Sequence, residues 1–143
     1  MPAAMTNFLE NALVDHVLSI TQFAFPGDVW IALFDTGPTD AETTGVGNEL
    51  LFANGGYLRL KIDQAGGAGL NFSTSSGGNS DNDENWDFEH DSSGNSWDVT
   101  GVGIFDSATV GACLLYELFS TSIPVAKGNT LRFAAGSFDV TFT

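Results

Sequence analysis

The sequence predicts a mainly β fold: a single antiparallel β-sandwich, jelly-roll-like, with about seven or eight strands and one N-terminal amphipathic helix. Three observations carry this. Short runs rich in Val, Ile, Phe, Tyr and Trp recur along the chain with Gly, Pro, Ser or Asn between them, which is the spacing of strands joined by turns. Helical periodicity is found only near the start, so the crossover helices that a parallel sheet needs are missing. At 143 residues, with 43% hydrophobic and 12% aromatic content, the chain fits one packed domain, 1–143; a chain of this size buries roughly 70% of the surface its unfolded form exposes.

The helix is expected over 7–20. Leu9, Leu13, Val17 and Ile20 recur at helical spacing, with Phe8 and Ala12 beside them and Glu10, Asn11 and Asp15 elsewhere on the wheel. Thr6 or Asn7 can cap it, and Glu10, three residues after Asn7, can answer the cap while sitting at the positive end of the helix dipole. Phe25-Pro26-Gly27-Asp28 is turn chemistry, and Val29 to Phe34 is apolar on both faces, as in a central strand. Thr36 to Asn48 reads as a loop. Tyr57 to Ile62 alternates, which places Leu58, Leu60 and Ile62 inward and Tyr57, Arg59 and Lys61 outward, the two cations pairing with local carboxylates.

Leu70 to Ser73 is a short strand candidate. The segment 75–96, rich in Gly, Ser, Asn and Asp, reads as an exposed acidic insertion loop carrying one short strand at Trp86-Asp87-Phe88. Trp97 to Phe105, Cys113 to Phe119, Asn129 to Ala134 and Ser137 to Phe142 complete the strands.

Four Lys+Arg against 18 Asp+Glu give a net charge of −14, so the average surface repels phosphate, and neither nucleic acid nor an anionic membrane is expected as a partner. No apolar run approaches the ~20 residues that span a bilayer, and the opening residues lack the basic region of a secretory signal, so synthesis as a soluble cytoplasmic chain is expected. Cys113 is the sole cysteine, which leaves no intramolecular disulfide; its apolar neighbours mark it as core.

Little chemistry is written in the sequence. His16 and His90 stand in no catalytic or zinc arrangement. Gly101-Val102-Gly103 lacks the third glycine and the following helix of a dinucleotide fingerprint. Asp81-Asn82-Asp83-Glu84-Asn85 has the hard alternating ligands that calcium selects, but Trp86 stands where that motif needs a turn glycine and Ser92 where it needs a bidentate Glu. A looser site on Asp83, Glu84, Asp87, Glu89 or Asp91 is the alternative to a solvated acidic loop. No catalytic, cofactor-binding or metal residue is therefore assigned, and no cofactor.

Several stretches carry a resemblance. Thr6 to Leu18, Ile31 to Asp40, Gly56-Tyr57, Gly103 to Thr109 and Gly128 to Gly136 resemble, in order and over nearly the whole chain, small virion structural proteins of tailed phages, of the tail fibre-like and capsid cement or decoration kinds. The acidic stretch around Ser80 to Ser96 is longer and more charged than in that pattern. The resemblance implies a virion component without enzyme activity. The first expectation is a capsid cement or decoration protein that forms a homo-oligomer, a trimer by that likeness, and clamps the major capsid protein lattice. The alternative is a tail or tail-fibre module that binds tail proteins or a host surface. A glycan-acting enzyme using paired carboxylates of the acidic loop is a third class, but nothing in the sequence fixes two carboxyl groups at a working separation.

Overall fold

The computed structural model describes residues 4–39, 48–63 and 69–141. Two short pieces precede the main sheet: strand β1 (Ala4–Met5) and helix α1 (Asn7–Val17). Thr6 joins them and is fully buried. Its hydroxyl caps the helix by accepting from the Leu9 amide (3.4 Å), and it donates to the Cys113 carbonyl (2.6 Å), fixing the helix start to the sheet. With Thr6 as the cap, Glu10 stands one residue beyond the position of a capping box, and the expected Asn7–Glu10 exchange does not arise.

The helix closes at Val17, three residues short of the expected end. Ser19 adopts the left-handed conformation (φ 58°), the Ile20 amide donates to the Asp15 carbonyl (2.8 Å) and the Ser19 amide to that of His16 (3.2 Å). This is a Schellman closure. It is built on serine, so the glycine that normally announces it is missing from the sequence.

The remaining strands are β2 (Val29–Phe34), β3 (Leu60–Ile62), β4 (Asn79–Asp81), β5 (Trp86–Glu89), β6 (Trp97–Phe105), β7 (Cys113–Val125), β8 (Thr130–Phe133) and β9 (Asp139–Thr141). A five-stranded sheet runs β1-β7-β6-β2-β3, and two ribbons, β4-β9 and β5-β8, pair separately, all antiparallel. The pairs β6-β7, β5-β8 and β4-β9 are nested, as when a long two-stranded ribbon is folded over on itself. That nesting is the jelly-roll principle. The result is sandwich-like, and the sheets do not close into a barrel.

Between sheet and ribbons lies the main core. Ile31 and Leu33 of β2 pair with Ile104 and Val102 of β6 and face Trp86, Phe88, Phe133 and Phe138 from the ribbon side. The other face of the sheet has its own cluster of Ala32, Phe34, Phe105 and Cys113, so β2 is covered on both sides as its sequence predicts. Gly101 and Gly103 serve that face. A Cβ on Gly103 would lie 2.9 to 3.2 Å from Phe34, Phe105 and the Cys113 sulfur, and one on Gly101 2.6 Å from the Glu117 carbonyl. These strand glycines mark close approach, not nucleotide binding.

Four expectations need correction. In Tyr57 to Ile62 the facing is inverted at its start: Tyr57 and Arg59 are buried and Leu58 is exposed, whereas Leu60, partly buried against the core, and Ile62 face inward and Lys61 outward as expected. Regular pairing is confined to Leu60–Ile62. Leu70 to Ser73 contributes a single bridge, Phe72 to Asn82, not a strand. The segment 75–96 is not one exposed loop: beside the strand expected at Trp86 to Phe88, which forms as β5, it contains β4, and Asn82, Trp86, Phe88 and His90 are buried. Most of the loop expected over Thr36 to Asn48 lies outside the described residues, as does the end of the last expected strand.

Candidate functional site

One cluster of ionisable groups is interior. Glu49 forms an antiparallel bridge with Phe34 at the end of β2, and Arg59 and Tyr57 approach from the segment leading into β3. Arg59 donates through Nε to Oε1 of Glu49 (2.8 Å) and through Nη2 to Oε2 (2.7 Å), while Nη1 donates to the carbonyls of Ser107 (2.6 Å) and Val110 (3.1 Å). The Tyr57 hydroxyl donates to Glu49 Oε1 (2.8 Å) and accepts from the Leu33 amide (3.0 Å). The guanidinium also lies over the Phe105 ring, 3.8 Å from its centroid. Burial, and after it the Glu49 charge, raises the Tyr57 hydroxyl well above the ordinary tyrosine value. Each of these groups is bonded to another, so the cluster helps to hold the fold.

His90 is likewise occupied. The Ser92 amide donates to Nδ1 (3.2 Å), which assigns Nε2 as the donor to the Asn95 carbonyl (2.8 Å), and the ring lies 4.7 Å from that of Trp97. Gly55, with φ 65°, passes beneath the ring where any Cβ would collide with it. His16 sits at the exposed end of α1, its Nδ1 accepting from the Phe23 amide (3.2 Å) and its ring edge-on to Phe25. Cys113 is buried.

The acidic residues do not converge. Asp87 and Glu89 alternate with the buried Trp86 and Phe88 along β5. Asp87 takes both bonds of Arg132, 2.6 Å each, which holds its carboxyl below the ordinary range. Asp91 accepts from the Ser93 amide (2.8 Å), and its pKa too is lowered by Ser93. Among the described residues no three His, Cys, Asp or Glu side chains gather as a metal would need, so the looser calcium set of Asp83, Glu84, Asp87, Glu89 and Asp91 is not brought together. Arg59 and Lys61 do pair with carboxylates, as expected: Arg59 with Glu49, and Lys61 with Asp28 (3.1 Å) and Asp63 (2.8 Å).

Sequence reasoning missed Glu49, because its partner is ten positions away and the strand alternation places Arg59 outside. It also missed Asn82, whose amide nitrogen donates to the carbonyls of Glu84 (2.7 Å) and Ala134 (2.9 Å) and whose Oδ1 accepts from the Phe138 amide (2.8 Å), tying the β4 end to the β8–β9 turn. The only signal for it is a polar residue beside an aromatic strand.

What the surface does offer is apolar. Val14, Val17, Leu18, Ile20 and Phe25 are all more than half exposed, at and just beyond the C-terminal end of α1. An apolar groove of about 350 Å3 opens nearby, with Leu9, Phe23, Phe25, Phe72 and Leu115 in its walls. A second groove, about 500 Å3 and more polar, runs between 56–60 and 87–91. Among the described residues no helix is long and apolar enough to cross a membrane.

Curated proteins provide no match to this chain. A family model does: the one described as podophage GP4 fiber I protein gp80 matches residues 4–141. A match of that extent leads to one assignment, that the chain belongs to this podophage fiber protein family and is a virion component of the tail fibre-like kind.

Proposed function

We propose that the protein is a non-enzymatic structural component of a podophage tail fibre, which acts by binding copies of itself and neighbouring tail proteins. The family match carries this reading. Of the two locations left open by the sequence, tail and capsid lattice, the family's own description speaks for the fibre. The structure adds two supports. Its buried ionisable groups, Glu49, Arg59, Tyr57 and His90, are used up in holding the fold. Five of the ten large exposed apolar side chains among the described residues, Val14, Val17, Leu18, Ile20 and Phe25, lie together at one helix end, the kind of surface that marks a protein–protein contact.

Quantitative mass spectrometry of purified virions tests the proposal. A copy number that is a small multiple of the portal protein's is expected. A copy number matching the major capsid protein would instead establish the cement role, and absence from the virion would overturn both.

A further inference from the structure

We draw no further inference here: the strongest candidate, the exposed apolar patch of Val14, Val17, Leu18 and Ile20 at the end of α1 beside the apolar groove, carries nothing because nothing in the structure shows what covers it.

Discussion

Glu49 and Arg59 clasp each other inside the protein through two parallel hydrogen bonds of 2.8 and 2.7 Å, with their side chains 3% and 0% exposed. This pair turns the start of the β3 segment inside out. Once Arg59 finds a carboxylate, a phenol and two carbonyls to meet it, burying it costs less than leaving that set unmatched, and Leu58 is turned outward instead.

Removing one partner alone strands the other charge in the interior. Glu49→Ala is expected to destabilise the fold by about 3–5 kcal/mol, read from urea or thermal unfolding, whereas E49L/R59M, which removes both charges, costs clearly less than either single change. Equal losses for the single and double variants would show that the pair is not buried as described.

Tyr57 links this cluster to alkaline pH. Its hydroxyl titrates well above the ordinary value because of burial and then Glu49, so the folded state favours the neutral phenol. Its contribution is fully present below the unfolded tyrosine pKa near ~10 and is lost as pH rises through the folded value. Unfolding free energy of the wild type should therefore fall above about pH 10 more steeply than that of Tyr57→Phe. Identical alkaline limbs would contradict this.

Asn82 is expected to be the most sensitive polar residue of the ribbon side. Asn82→Ala removes the donor to Glu84 and Ala134 and the acceptor of the Phe138 amide, leaving buried backbone groups unpaired. A loss of about 2–4 kcal/mol is expected in equilibrium unfolding. A loss no larger than that of Asn85→Ala, at the exposed position three residues on, would contradict the role.

Asp87 and Arg132 make an equally well-formed pair at the surface. Its carboxyl is held low by the Arg132 hydrogen bonds, so its contribution is present above the unfolded carboxylate value and is lost as pH falls through the folded one. Arg132→Met should raise the Asp87 pKa in an NMR titration while changing stability at neutral pH little, since exposed pairs contribute little. An unmoved Asp87 would show that Arg132 does not hold it.

The sequence is legible where one rule acts alone. β2, apolar on both faces, is indeed covered on both, and α1 begins where Thr6 says. It is illegible where long-range partners override a local pattern. Alternation placed Arg59 outside because Glu49 could not be seen as its partner. The helix overran because Ser19 ends it in a conformation that glycine usually marks. The acidic segment looked like a solvated loop because its polar residues alternate with Trp86, Phe88 and His90, which the opposing β8 and the Trp97 ring cover. The apolar end of α1 was readable as a stripe, but not as one that outruns the body of the protein.

Location on the particle tests the central claim most directly. Intact virions labelled with gold-conjugated antibody against this chain should show gold at the tail, on its fibres. Gold distributed over the capsid shell, with none at the tail, would contradict the fibre assignment of function.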